Sequence, residues 1–302
     1  MISLPPALDL GEFFSGFHGK EIVYCPNPGN AGDSLIAAAT LQAFEQHEVS
    51  VELVRPGDTV ARGRLVFFGG GGNLVPEYTD CSGFLERNHA QAERLVLLPH
   101  SVRGHEALLG ELGPNVDLIL REPTSYAHCL KFAPHARVHL AHDMAFRMDV
   151  DALRLRPLAS GATFRLDMLK SRRRRVVHRL FRWQKLCQWF APWKLKRLDA
   201  FRTDLESTGK IQLQPGNLDL STILMYGVTD RESIWLAARH LADFIDAYQE
   251  VHTDRLHVSI IASLLGKGVF FHPNSYYKNE AVYRYSMQDR FPLTTWCGDD
   301  AC

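Results

Sequence analysis

The 302-residue chain is 46% hydrophobic and 23% charged, with 34 basic against 34 acidic side chains and a formal net charge of zero. That length suits two hydrophobic cores better than one, and that balance excludes a disordered, collagen-like or disulfide-dense chain. The neutrality is uneven, because residues 170–197 hold eleven Lys and Arg and no Asp or Glu, leaving 23 basic against 34 acidic residues elsewhere.

The chain alternates strands and helices over its first half. A buried strand over 21–25 runs into PNPGNAGDS and a helix over 35–45, for which Asp33 or Ser34 supplies the cap. Strands follow over 51–54 and 64–68, the latter ending in Gly69-Gly70-Gly71-Gly72-Asn73. The strand over 95–98 ends in Pro99-His100-Ser101, and that over 117–120 ends in Arg121-Glu122 before a helix over 124–132. A strand over 138–141 ends in His142-Asp143. Such alternation predicts an open parallel sheet, whose binding crevice lies beyond the carboxyl ends of the strands. Every polar motif named falls there. After residue 150 the alternation lapses into an Arg- and Trp-rich stretch, then resumes near 201 with an amphipathic helix over 231–248.

The six cysteines (Cys25, Cys81, Cys129, Cys187, Cys297, Cys302) form neither a CxxC pair nor a zinc spacing, so reduced thiols and no metal are expected. The opening MISLPPALDLGEFF lacks a basic n-region, and no apolar run approaches the roughly 20 residues that span a bilayer. A cytoplasmic protein is expected, peripheral on the inner membrane face if its basic segment binds there.

Three stretches carry the chemistry. In PGNAGDS the glycines, Gly32 among them, permit close backbone approach while Asn30 and Asp33 offer hydrogen bonds. The loop is neither GxGxxG nor a Walker loop, and its plain alternative is a capped tight turn. The run Gly70-Gly71-Gly72 after a buried strand implies that something needs an open backbone. The stretch 252–266, HTDRLHVSIIASLLG, passes from polar residues into an apolar helix for which Thr253 or Asp254 is the expected cap. Arg255 and His257 then lie beside a helix N-terminus that already favours an anion. Lys267 is a phosphate contact or a favourable charge at a helix end; Asn274, Ser275 and Lys278 belong to a polar loop.

The ordered set PGNAGDSLI, FFGGGGNL, LLPHSV, LREPTSY, AHDMAF, FRTDLE, NLDLS, TDRLHVSIIASLLGK and HPNSYYKNEAVYRYS resembles the polysaccharide pyruvyl transferases, nearest to bacterial exopolysaccharide ketal-pyruvate transferases. The resemblance covers most of residues 20–295 and departs in the basic segment and at Pro99-His100-Ser101. It implies an α/β, GT-B-like fold with two Rossmann-like domains facing across a cleft. Residues 1–150 would form the acceptor-side domain, 151–200 a basic Trp-rich insert, and 201–302 the donor-side domain. The donor would be phosphoenolpyruvate, with no cofactor, and the acceptor a glycan or lipid-linked oligosaccharide. Arg255 and His257 would contact the donor with Thr253 and Lys267, and Arg121 and Arg202 are further donor candidates. Asn30, Gly32, Asp33, Gly70, Gly71, Gly72, Asn73, His100, Ser101, Asn274, Ser275 and Lys278 are acceptor or loop candidates.

Phosphoenolpyruvate carries two anionic groups, which Arg forks match better than Lys. His257 is the first choice for acid–base work because its ordinary pKa lies near neutrality, with Asp33 and Asp143 placed to orient or deprotonate the acceptor. Two other functions use the same layout: a nucleotide-sugar glycosyltransferase, and a non-catalytic membrane-associated assembly factor. The segment 170–197 mixes cations with Trp183, Trp189, Phe190 and Trp193, which suits an anionic membrane surface. No nucleic-acid module is present, and a nucleic-acid partner is not expected.

Overall fold

Apolar runs bounded by turn residues become strands of two fully parallel sheets, in a computed structural model that describes residues 4–157, 172–204 and 206–298, with backbone alone for 172–174. The chain divides into two compact units. The first comprises residues 1–28, 36–148 and 228–230, the second 29–35, 149–227 and 231–302.

The first unit holds α1 (Leu10–Ser15), β1 (Glu21–Cys25), most of α2 (Ala31–Gln46), β2 (Ser50–Leu53), β3 (Leu65–Phe68) and β4 (Gly71–Leu74). It continues with α3 (Asp80–Asn88), β5 (Arg94–Val102), α4 (Glu106–Glu111), β6 (Val116–Leu120), α5 (Pro123–Phe132) and β7 (Arg137–Leu140). The strands run β2-β1-β3-β5-β6-β7, with β4 paired to β5. Phe14, Phe44 and Phe67 pack edge to face at 5.3 and 5.4 Å in its core, a geometry that favours aromatic pairs.

Two expectations change here. Pro99, His100 and Ser101 lie inside β5 rather than in a loop after it, because β4 extends the ladder with Gly71 opposite His100 and Leu74 opposite Val102. Pro99 donates no ladder hydrogen bond, and the β5–β6 register shifts between Leu97 and His100. The glycine run is likewise not an open loop. A Cβ on Gly69 would lie 2.5 Å from the Asn27 amide nitrogen, and one on Gly70 would lie 2.8 Å from the Pro99 carbonyl. The strand ends converge so tightly that only glycine fits between them, and this close packing answers the need for an open backbone.

The second unit holds α6 (Val150–Leu155), α7 (Arg172–Phe190), β8 (Arg197–Asp199), α8 (Leu220–Ile223) and α9 (Arg231–Asp246). Then come β9 (Glu250–Thr253), α10 (Leu256–Leu264), β10 (Gly268–Phe271), α11 (Lys278–Val282) and β11 (Thr294–Trp296), with sheet order β11-β10-β9-β8. In α9 the apolar positions Ile234, Ala238, Leu241 and Ile245 are buried at helical spacing, as the periodicity predicts. Arg154 of α6 clamps this helix through Asp243 at 3.1 Å and Asp246 at 2.8 Å. Cys25, Cys81, Cys129 and Cys187 are free and buried, whereas Cys297 is disulfide-bonded, counter to the expectation of reduced thiols throughout. Among the described residues no helix is long and apolar enough to cross a membrane.

Candidate functional site

In the second unit, cations and carboxylates converge at the carboxyl ends of β8, β9 and β10. Thr253 closes β9, its hydroxyl donating to the Ala200 carbonyl at 2.7 Å and accepting from the Arg255 amide at 3.0 Å. Asp254 accepts from the Arg202 amide at 2.8 Å. Both side chains are thereby turned away from capping. The residue that precedes α10 is Arg255 itself, which provides no side-chain cap. The expected Thr253 or Asp254 cap is replaced by a helix start whose cap residue carries a cation, an arrangement that keeps the first-turn N–H groups suited to an anion.

Arg255 is 4% exposed and held from two sides. Asp219 accepts from its Nε at 3.1 Å and its Nη2 at 2.6 Å, and Asp204 pairs with Nη1 at 2.7 Å. Asp219 is positioned because it opens α8, where it also accepts from the Thr203 amide and hydroxyl at 3.0 Å each. Arg202, just past β8, pairs with Asp204 at 2.9 Å and Glu206 at 2.5 Å, and Lys278 pairs with Glu206 at 2.7 Å. Burial opposes the charge on Glu206, but Lys278 and Arg202 overcome it and pull its carboxyl down to about 2. Asp219 is held below the usual carboxylate range in the same way, by Arg255 and Thr203 against its burial. Asp254 goes the other way, burial pushing it up to about 6 despite Arg202 and Arg255 nearby.

A cavity of about 400 Å³ adjoins this cluster, lined by Lys210, Asn274, Ser275, Tyr276, Tyr277 and Glu280 among others. Asn274 is buried, accepting from the Asn279 amide at 3.3 Å, while its Nδ2 has no hydrogen-bond partner. Asn279 holds the cavity wall to β9 and β10 through the carbonyls of Asp254 at 2.7 Å and His272 at 3.1 Å.

All of the PGNAGDS loop but Pro28 belongs to the same unit. Asn30, rather than Asp33 or Ser34, precedes α2. Its Oδ1 accepts from the Gly32 amide at 2.8 Å, and Asp33 Oδ2 reaches back to the Asn30 amide at 2.8 Å, a reciprocal capping arrangement. This turn presents Gly32 to His257: a Cβ on Gly32 would lie 2.5 Å from His257 Nδ1. Gly32 is therefore glycine because the imidazole occupies the space. The substitution Gly32→Ala is expected to displace the ring and to cost about 1–3 kcal/mol, as overpacking does. Thermal melting and the His257 ring resonances check it; an unmoved resonance would show that the turn yields instead.

The remaining candidates, Lys267 excepted, belong to the first unit. Arg121, 1% exposed, sits in the first unit, where Asp143 accepts from its Nη1 at 2.7 Å and Ser101 from its Nε at 2.9 Å. Asp143 also caps the 3-10 turn that follows it, accepting from the Ala145 amide at 2.8 Å. His100 is buried beside them, its Nε2 3.2 Å from the Asn73 amide and 3.3 Å from that of Leu74. Burial, reinforced by Arg121, lowers its pKa to about 3, so the ring is neutral at physiological pH. Gly70, Gly71, Gly72 and Asn73 belong to this neighbourhood too. Lys267 is at the opposite, amino end of the second sheet's strands, just before β10, bound to the carbonyl of Asp246 at 2.6 Å and its carboxylate at 2.8 Å. The structure thus brings Arg255, Arg202, Lys278, Thr253, Asn274 and Ser275 to one end of a sheet and keeps Lys267 from it.

Sequence reasoning missed the acids that hold the cations: Asp204, Glu206 and Asp219. The signal was present, since FRTDLE and NLDLS carry them, but nothing in linear order says which Arg each carboxylate faces.

The model of the polysaccharide pyruvyl transferase family matches residues 30–276. A Bacillus subtilis (strain 168) protein, EpsO, whose name carries a provisional pyruvyl transferase assignment, is 24% identical over 299 residues, covering 91% of this chain and 88% of that one. A crystal structure of a functionally uncharacterized protein from Klebsiella pneumoniae subsp. pneumoniae NTUH-K2044 superimposes with a TM-score of 0.71 at 30% identity, covering 95% of each chain. With most of its length matched, from the PGNAGDS turn to the loop that lines the cavity, this chain belongs to the polysaccharide pyruvyl transferase family.

Proposed function

We propose that this transferase moves a pyruvyl group from phosphoenolpyruvate to a sugar of an exopolysaccharide or its lipid-linked precursor, closing a pyruvate ketal. The observation that carries the reading is the start of α10, where Arg255 stands in the cap position without a side-chain cap and His257 lies in the first turn. Arg202 and Lys278 add cations at the same sheet end. A donor with a carboxylate and a phosphate wants such a set: fixed cations, main-chain N–H groups and one group that can pass a proton near neutrality. The GT-B-like class expected from the sequence belongs to this proposal as well.

The chemistry assigns the roles. A sugar hydroxyl adds to C2 of the enol phosphate, losing its proton to a base, while C3 gains a proton and becomes the methyl group. A second hydroxyl then attacks C2 and gives up its proton to a base as its oxygen–carbon bond forms and the bond from C2 to the phosphate oxygen breaks, releasing inorganic phosphate. His257 serves as the proton carrier. Asp33, next to Gly32 in the turn that meets His257, is placed to orient a hydroxyl in the same neighbourhood. The Arg255 and Arg202 guanidiniums stabilise the leaving phosphate.

Incubation with phosphoenolpyruvate and oligosaccharide acceptors is expected to release phosphate in step with ketal methyl signals by NMR. Thermal stabilisation by a nucleotide sugar but not by phosphoenolpyruvate would replace this reading with a glycosyltransferase. Within it, His257→Gln keeps hydrogen bonding but cannot shuttle a proton at neutral pH, so kcat should fall by about 10²–10⁴ with little change in donor affinity. Retained turnover with an unchanged pH profile would pass the acid's role to another group.

A further inference from the structure

The basic segment forms a helix with two opposed faces. The inner face of α7, Val177, Phe181, Gln184 and Cys187, lies against the second unit: Phe181 meets the Phe244 ring edge-on at 5.4 Å, and Gln184 Nε2 donates to the Phe244 carbonyl at 2.8 Å. These residues recur every three or four positions, so they fix which side of the helix faces outward.

The outer side is apolar as well. Trp189 is 84% exposed, Phe190 75%, Trp193 62% and Leu186 56%. They share helical spacing through the last turns of α7, and Trp193 continues the patch from the 3-10 turn over Pro192–Leu195. Arg175, Arg179, Arg182 and Lys185, all exposed, precede or flank them on the outer side, and no Asp or Glu occurs anywhere in residues 170–197. Residues 170 and 171 lie outside the described residues.

Single exposed apolar residues need no explanation, but a contiguous group of large ones rimmed by charge of one sign marks an interaction surface. Tryptophan suits the boundary between water and hydrocarbon, since one end of the ring system is apolar and the other hydrogen-bonds. The cations suit negative headgroups, each lysine or arginine near the surface adding attraction that salt screens. The helix does not span a bilayer, as none among the described residues is long and apolar enough. Its inner face is already packed on protein, which leaves an in-plane orientation.

We propose that α7 and the turn after it dock on an anionic lipid bilayer, with Leu186, Trp189, Phe190 and Trp193 in the headgroup layer and the arginines and Lys185 on the lipid phosphates. This does not depend on the donor or acceptor of the transferase reaction.

The test is co-sedimentation of the full chain with phosphatidylcholine vesicles, with and without phosphatidylglycerol, at low and high salt. Binding only to the anionic vesicles, weakened by salt, with a blue shift of tryptophan fluorescence, is expected. Two variants separate the contributions without touching a buried residue: Trp189→Ala/Phe190→Ala/Trp193→Ala and Arg179→Gln/Arg182→Gln/Lys185→Gln. Each should lower vesicle affinity at least about tenfold, with thermal melting unchanged. Three results would overturn the proposal: no binding to anionic vesicles, equal binding to neutral ones, or binding that survives the aromatic triple variant. A monomer shift of that variant in size-exclusion chromatography without vesicle binding by the native chain would assign the patch to self-association. A preference for oligonucleotides over vesicles would assign it to nucleic acid.

Discussion

Arg255→Ala is expected to lower stability by about 3–5 kcal/mol as well as to remove turnover, because it strands a buried carboxylate. Asp219 meets Arg255 at 2.6 and 3.1 Å and Asp204 meets it at 2.7 Å, and Asp219 is itself buried. The simple alanine variant therefore confounds folding with catalysis. Two companions resolve it. In Arg255→Ala/Asp219→Asn the stranded charge is gone, so the melting temperature should recover in part while phosphate release stays absent. In Arg255→Lys the charge persists but the planar fork does not, so stability should exceed that of the alanine variant while donor affinity falls by about 2–5 kcal/mol. Native-like kinetics in a folded Arg255→Lys enzyme would make Arg255 a structural cation and move the donor site to Arg202 and Lys278.

The second large effect lies in the first unit. Arg121 and Asp143 are almost fully enclosed, and removing either alone is expected to cost about 3–5 kcal/mol by leaving an uncompensated buried charge. Replacing both with apolar residues, Arg121→Met/Asp143→Leu, should cost clearly less than the two single changes combined, the signature of direct coupling in a double-mutant cycle. The same variants report on His100. Arg121 helps to lower its pKa and Asp143 helps to raise it, beneath the larger effect of burial. Arg121→Met should raise the His100 pKa from about 3, and Asp143→Asn should lower it further, both read from imidazole NMR titrations. Additive stabilities with an unmoved His100 titration would show that the three groups do not form a unit.

The contrast between these two ion clusters bears on function. Arg121 is in a closed network with Ser101 and Asp143, deep in a parallel sheet. Arg255 is buried too, yet it stands in the cap position of a helix start.

By itself the sequence determined the parallel α/β class and nearly every strand of the first unit, because short β-branched and aromatic runs between turn residues admit few other conformations. It also placed Arg255 and His257 beside a helix start, since a polar run passing into an apolar helical period marks that start locally. Only the tertiary structure decided what depends on distant neighbours. Pro99-His100-Ser101 is strand because β4 pairs there, and Gly69 and Gly70 are glycines because Asn27 and Pro99 crowd them. Asp219 belongs to Arg255, 36 residues away, through a contact that no spacing announces. Lys267, close to His257 in sequence, is carried by α10 to the amino end of the strands, because a nine-residue helix of about 1.5 Å rise per residue moves the chain by more than a side chain can reach back.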